Sequence, residues 1–289
     1  MTKVRGTRAE GCGNAYVFVD EEDVGSDAAA RLRDCAPHAT PRWLSALGGA
    51  RLDGVILLEL DATCERRLTV WNADGSRGEV CGNGLRAAAL LARTRRGSAE
   101  GALRSDSAVH RYEVVVSGSE PRVRVTLPPP RVELDAVPCD ARRAGACSTG
   151  PRGLQRLELV AAGREFSGYV LSVGNPHLVL PTDDLREGEP LGFEGLECHP
   201  AFPARVNVTL MRRVSADAIA TRTHERGSGE TAACGTAACA SAFVSYALGL
   251  TDPSVEVRQR GGVLGVEVRP DELVLAGPAS VGDAVEFEI

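Results

Sequence analysis

Lysine is almost missing from this 289-residue chain: of 33 basic residues, Lys3 is a lysine and the rest are arginines. Enzymes that use pyridoxal phosphate hold it on a positioned lysine. Lys3 sits in what reads as a mobile or edge N-terminal segment, so that cofactor is excluded. Long apolar runs are lacking too. Nothing approaches the roughly 18 consecutive apolar residues of a membrane span, and the opening MTKVRGTRAEGCGN carries no apolar core of signal-peptide length. A cytoplasmic protein with no membrane partner is expected. The formal charge of −6 comes without a long basic block. Arg93 to Arg96 reads as the solvated end of a helix, where cations suit the dipole, so nucleic acid is not an expected partner. The nine cysteines are odd in number and show no Cys-x-x-Cys spacing, which argues against a secreted disulfide framework and against a zinc site. No metal ion and no cofactor are expected. Most of the thiols read as reduced, small buried hydrophobes.

What the chain does have is a pattern that occurs twice. Residues 72 to 89 read NADGSRGEVCGNGLRAAA: a polar turn leads through Glu79 to Cys81, then to Gly82-Asn83-Gly84, and a helix-forming run follows from Leu85. Residues 224 to 241 read HERGSGETAACGTAACAS, where Gly227-Ser228-Gly229-Glu230 leads to Cys234-Gly235-Thr236 and a second helical run. Each copy places a thiol at the mouth of a helix. The first amides there lack internal partners and the aligned peptides supply roughly +0.5 charge, a field that lowers a thiol pKa and holds anions. Glu79 and Glu230 read as first-turn carboxylates favoured by the same dipole. The copies lie about half the chain apart, so two similar domains facing each other across a cleft are expected. Their bounds read as 1–128 and 129–279, with the alternating segment 280–289 returning to the first.

Strand-forming runs dominate the rest. They cover Tyr16–Asp20, Gly54–Leu60, Arg67–Asn72, a hairpin turning at Ser117-Gly118, and 155–162 with 165–173. Further runs cover Val206–Arg213, Asp217–His224 and three short segments after 254. A short helix from Ser26 to Cys35 is expected to close near Pro37, Pro128-Pro129-Pro130 reads as a stiff crossing between domains, and Gly174-Asn175-Pro176-His177 as a turn. Asp183 to Phe202 reads as connection with one helical turn. The expected fold class is α+β: two pseudo-symmetric domains, each a mostly antiparallel curled sheet around one central helix.

Two glycine-flanked thiols suit one task well, which is to take a proton from one face of a carbon and return one to the other. The facing dipoles would absorb the negative charge that develops on deprotonation.

Asn72-Ala73-Asp74-Gly75-Ser76 with Cys81-Gly82-Asn83-Gly84, then Gly174-Asn175-Pro176-His177, then Glu225 through Thr236 resemble the diaminopimelate epimerase family over essentially the whole chain. Several multi-residue motifs in the right order are far more specific than a lone glycine-rich pattern. The resemblance implies a cofactor-independent epimerase that interconverts L,L- and meso-diaminopimelate for lysine and peptidoglycan synthesis. It implies Cys81 and Cys234 as the acid/base pair, and Gly82, Asn83, Gly235 and Thr236 as carboxylate-binding amides. It also implies Asn14, Asn72, Asn175 and Asn207 as substrate contacts, Glu225 and Arg226 as readers of the distal amino and carboxylate groups, and His177 with Glu225 as tuners of the thiols. A homodimer is the expected assembly. Two departures stand out. Arg51-Leu52-Asp53-Gly54 replaces a common Gly-Ala-Asp-Gln turn, removing one substrate hydrogen bond, and Arg77, Leu85 and Ala87 replace usual residues around the first thiol. The alternatives are a racemase of another amino acid, of the proline or hydroxyproline type, and a non-catalytic amino-acid-binding protein.

Overall fold

The computed structural model describes residues 2–48, 52–79, 81–117, 120–185, 192 and 195–289. Arg51, Val80, Gly118 of the expected hairpin turn, and part of the Asp183–Phe202 connection lie outside that description. The chain divides into two compact units, Met1–Thr126 with Ala276–Ile289, and Leu127–Leu275. The three prolines 128 to 130 follow directly after the boundary.

In the first unit β1 (Lys3–Gly11) and β2 (Asn14–Asp20) form an antiparallel hairpin. A single turn, α1 (Glu21–Val24), and a long helix, α2 (Ser26–Ala46), then return the chain so that β3 (Gly54–Glu59) runs parallel to β2. Next, β4 (Arg66–Asn72) pairs antiparallel with β3, and α3 (Gly82–Arg96) crosses over so that β5 (Glu100–Arg104) lies parallel to β4. The antiparallel strands β6 (Val109–Ser117) and β7 (Glu120–Leu127) follow.

The second unit repeats this hydrogen-bonding order. After β8 (Ala146–Thr149) and β9 (Gln155–Ala161), β10 (Arg164–Ser172) pairs antiparallel with β11 (Pro176–Pro181). Strand β12 (Asn207–Arg213) runs parallel to β11 and antiparallel to β13 (Ala218–Glu225). After the two-residue β14 (Gly229–Glu230), α4 (Gly235–Ala247) crosses so that β15 (Ser254–Gln259) lies parallel to β13. Strand β16 (Gly262–Val268) pairs antiparallel with β15, β17 (Leu273–Pro278) follows, and β18 (Ser280–Glu288) pairs antiparallel with β1 from Lys3↔Glu288 to Glu10↔Ser280. Each unit thus holds one helix, α3 or α4, in a crossover between two parallel strands, and each helix opens on one of the two cysteines.

Lys3 pairs with Glu288 of β18, and the pairing of β1 with β2 starts further along at Thr7. One expectation is corrected. The short helix ending at Pro37 is instead a 21-residue helix that runs through Pro37 and Pro41. Each interior proline costs about 3 kcal/mol, but Leu32, Ala36, Thr40 and Trp43 form one buried stripe at helical spacing, and Trp43 packs on Phe287 with ring centroids 5.2 Å apart. Burial of a large apolar side chain contributes roughly 1.5–3 kcal/mol, so the stripe sustains the helix against both prolines. The Thr40 hydroxyl also donates to the Ala36 carbonyl at 2.8 Å. The first unit therefore carries a second long helix besides its central one. Arg95 and Arg96 are exposed in the last turn of α3, as expected, and are ion-paired as well: Arg95 with Asp20 and Asp23, and Arg96 with Glu22. Gly97, at φ +77°, terminates α3 by donating to the Arg93 carbonyl.

Candidate active site

The first thiol is the N-cap of α3. Cys81 has extended backbone, and its Sγ accepts the Gly84 amide at 3.2 Å. Gly82-Asn83-Gly84 is therefore the first helical turn itself, a correction to the expectation that the helix starts at Leu85. Glycine fits there because a Cβ on Gly84 would sit 2.7 Å from Ile56 Cδ1. Asn83 donates to Asn14 Oδ1 at 2.7 Å, joining the start of β2 to the helix mouth. Asn72 ends β4 in the turn it was expected to enter, its amide N–H accepted by the Ser76 carbonyl and its side chain donating to the Ser76 hydroxyl. The turn presses on α2: Gly75 has φ +84°, and a Cβ there would collide with the carbonyl oxygen of Pro37.

Arg86, unremarked in the sequence, is fully buried and braces this mouth. Its Nη2 donates to Asn83 Oδ1 at 2.7 Å and its Nη1 to the Gly82 carbonyl at 3.2 Å. An arginine within an alanine- and leucine-rich helical run was the available signal.

The second thiol is the N-cap of α4. Cys234 shares the extended backbone of Cys81, but its side chain receives no cap hydrogen bond of the kind Cys81 takes from Gly84. The Cys234 Sγ lies 3.4 Å from the Thr236 hydroxyl. From there a hydrogen-bonded chain can be traced. His177 Nε2 is 2.8 Å from Asn175 Oδ1, and since a carbonyl oxygen can only accept, the proton is on Nε2. The Asn175 amide then donates to Thr236 Oγ1 at 3.3 Å, and between that hydroxyl and the Cys234 sulfur either group can donate. Gln259, also unremarked in the sequence, clasps the backbone of Cys234: its Oε1 accepts the Cys234 amide at 3.1 Å and its Nε2 donates to the Cys234 carbonyl at 3.3 Å.

Cys234 reverses one expectation. Complete burial pushes its thiol well above the ordinary range, and the neighbouring Glu225 carboxylate adds to the rise. Desolvation and a like charge outweigh the helix dipole, so this sulfur rests as a thiol. Glu225 also accepts the Thr231 hydroxyl at 2.6 Å. Asn207 is buried and engaged with backbone, donating to the Pro176 carbonyl at 3.0 Å and accepting the Arg226 amide at 3.0 Å. Arg226 Nη1 donates to the Ala204 carbonyl at 3.2 Å. Glu230 is no first-turn carboxylate, because it lies in β14 and forms a two-pronged pair with Arg222 at 2.9 and 3.0 Å. Glu79 likewise lies upstream of the first turn of α3. The site residues so gather into two sets, Asn14, Asn72, Cys81, Gly82 and Asn83 in the first unit, and Asn175, His177, Asn207, Glu225, Arg226, Cys234, Gly235 and Thr236 in the second. Among the described residues no group of three or more His, Cys, Asp or Glu side chains could hold a metal ion, and no helix is long and apolar enough to cross a membrane.

His177 supplies a pH prediction. It lies inside β11, not in the turn before it, and burial with the nearby Arg226 charge pushes its pKa down to about 3 from 6.5. A folded-state pKa below the unfolded one means that the unfolded chain protonates first as pH falls. The stability contribution is complete above about 6.5 and is lost on descending toward 3. Between about pH 7 and about pH 5, urea unfolding of the parent should lose about 2 kcal/mol more than that of His177→Gln. Equal losses would show that the histidine titrates normally.

The architecture has solved counterparts. A Pseudomonas aeruginosa protein described as a predicted epimerase matches with a TM-score of 0.67 at 20% identity, covering 99% of each chain. A hydroxyproline epimerase from Agrobacterium vitis matches with a TM-score of 0.65 at 13% identity, covering 99% of this chain and 92% of its own. At those identities the match is one of fold, and it puts the chain in the α+β class that includes such epimerases. Sequence relatives go further. A diaminopimelate epimerase of Desulforudis audaxviator is 37% identical over 284 residues, covering 94% of this chain and 95% of the relative, and one of Erythrobacter litoralis is 34% identical over 283 residues, covering 96% and 95%. The family model for diaminopimelate epimerase matches residues 169–282. The chain belongs to the diaminopimelate epimerase family, and it is an isomerase.

Proposed function

We propose that this chain interconverts L,L- and meso-diaminopimelate, for lysine and peptidoglycan precursors, with Cys81 and Cys234 as the two proton-transfer groups. The observation that carries this reading is the matched setting of the sulfurs. Each is the N-cap residue of a crossover helix, and each has a hydroxyl oxygen beside it, Tyr16 at 3.3 Å from Cys81 and Thr236 at 3.4 Å from Cys234. One sulfur as thiolate takes the α-proton, the other as thiol delivers a proton to the opposite face, and the roles exchange for the reverse reaction. The substrate carboxylate binds at the helix mouths formed by Gly82 and Asn83 and by Gly235 and Thr236, where backbone N–H groups and the dipoles hold it as charge grows on the α-carbon. Asn14, Asn72, Asn175 and Asn207 contact the substrate. Glu225 and Arg226 receive the distal ammonium and carboxylate, a demand that a substrate with a second amino-acid head imposes.

The reaction runs without pyridoxal phosphate in this reading, because the sole lysine has its side chain exposed on β1. A cytoplasmic homodimer belongs to the same proposal. Sedimentation of the purified protein would measure the assembly. Incubating pure protein with L,L-diaminopimelate in deuterated water, with no added cofactor, should give the meso isomer with deuterium at one α-carbon. Absence of isotope uptake would contradict the proposal.

A further inference from the structure

The two sulfurs share a feature beyond the helix mouth: each has one hydroxyl group beside it. For Cys234 that hydroxyl is Thr236, in the same helical turn. For Cys81 it comes from another element, the phenol of Tyr16 on β2, whose oxygen lies 3.3 Å from Sγ. Tyr16 is buried, its ring set edge-on to Phe18 with centroids 6.4 Å apart, and its backbone is fixed by pairing with Ala9 on one side and Gly54 on the other. The hydroxyl is therefore held at the sulfur by a rigid strand.

We infer that Tyr16 is a positioning residue for proton transfer at Cys81, its hydroxyl serving the sulfur in both of its protonation states. This inference rests on the proposed role of Cys81. An amide such as Gly84 N–H can only donate, so it helps a thiolate and offers nothing to an S–H. A hydroxyl does both. It accepts from the thiol, and when the proton passes to the substrate carbon it rotates and donates to the thiolate left behind. No atom is gained or lost in that exchange: the S–H bond breaks, a C–H bond forms, and the phenol keeps its proton throughout. Once the proton has left, the two donors stabilise the thiolate of Cys81, while Cys234 rests as the thiol.

The charged groups nearest in the chain are two. Arg86 lies one turn along α3, bonded to Asn83 and the Gly82 carbonyl, and Glu79 precedes Cys81 by two residues. From β3, Ile56 contributes only methyl contact near Gly84. Neither charge changes in Tyr16→Phe, which removes one oxygen and keeps the ring in its contact with Phe18.

The test is the rate of Cys81 alkylation by iodoacetamide against pH, followed by peptide mass spectrometry in the full chain and needing no turnover. At neutral pH Tyr16→Phe should alkylate at Cys81 about tenfold more slowly, the loss of one hydrogen bond to a charged group. The whole alkylation curve should move to higher pH, and the acid limb of kcat/KM should move with it. An unchanged curve would overturn the inference, because a purely structural role for Tyr16 would alter stability or KM without moving it. If the variant were to misfold, the ultraviolet thiolate absorbance of the parent minus that of Cys81→Ala gives the same decision: no thiolate signal at neutral pH refutes the inference. Should the protein fail to turn over diaminopimelate while alkylation shifts as stated, the proposed substrate falls and the Tyr16 assignment stands.

Discussion

Cys81→Ala and Cys234→Ala should each lose epimerisation by about 10²–10⁴-fold, the usual contribution of a positioned acid or base, and each should do so with the fold intact. The argument lies in the separate placement of the two sulfurs. Each caps its own helix and has its own hydroxyl, Tyr16 or Thr236, so removing one leaves the other's setting unchanged. A surviving sulfur can still remove the α-proton from the isomer it faces and return a solvent proton to the same face. Each variant should therefore wash deuterium into one isomer without inverting it, and the two variants should act on different isomers. Both steps are followed by proton NMR of the α-position and by chiral chromatography. Exchange into both isomers by either variant would mean that one group serves both faces, and full activity in either would remove that sulfur from the chemistry.

Arg226→Met should lower kcat/KM for diaminopimelate by about 30- to several thousand-fold, because truncating one partner of a hydrogen-bonded charge pair costs about 2–5 kcal/mol. Arg226 follows β13 in a turn, with its amide held by Asn207 Oδ1 and Nη1 donating to the Ala204 carbonyl. These contacts fix the base of the side chain and aim the planar fork, whose geometry matches a carboxylate in a two-pronged bond. Discrimination between substrates makes the prediction specific. An amino acid without a distal carboxylate should be turned over equally poorly by parent and variant. Steady-state kinetics on both substrates decides it, and an equal loss on both would place Arg226 in support of the reacting end, with the substrate then a simpler amino acid.

Much of this was legible in the residues. The doubled Cys-Gly pattern announced two helix mouths because the thiol, the glycine and the helical run are local in sequence, and strand alternation located most of the sheet. The long helix was missed because Pro37 and Pro41 stop a helix by local rules, whereas the Leu32–Trp43 stripe that carries it through depends on a partner, Phe287, from the opposite end of the chain. The supporting residues were invisible for a related reason. Gln259 is 25 residues from the backbone it clasps, and Tyr16 is 65 from the sulfur it meets. Arg86 went unremarked because nothing local shows that its guanidinium turns back to Asn83 and the Gly82 carbonyl. Cys234 shows the other limit. The helix mouth is readable and implies a lowered pKa, but the burial and the Glu225 charge that reverse the direction belong to the folded state.

One thiol for each face of the carbon is the claim on which the rest stands, and isotope partitioning at low conversion measures it. With L,L-diaminopimelate in deuterated water, the first meso product formed should carry deuterium at the inverted carbon while the remaining substrate keeps its protium, and the reverse reaction should show the same asymmetry. Protium retained in the early product would mean that a single group carries the proton from one face to the other, which contradicts one thiol for each face.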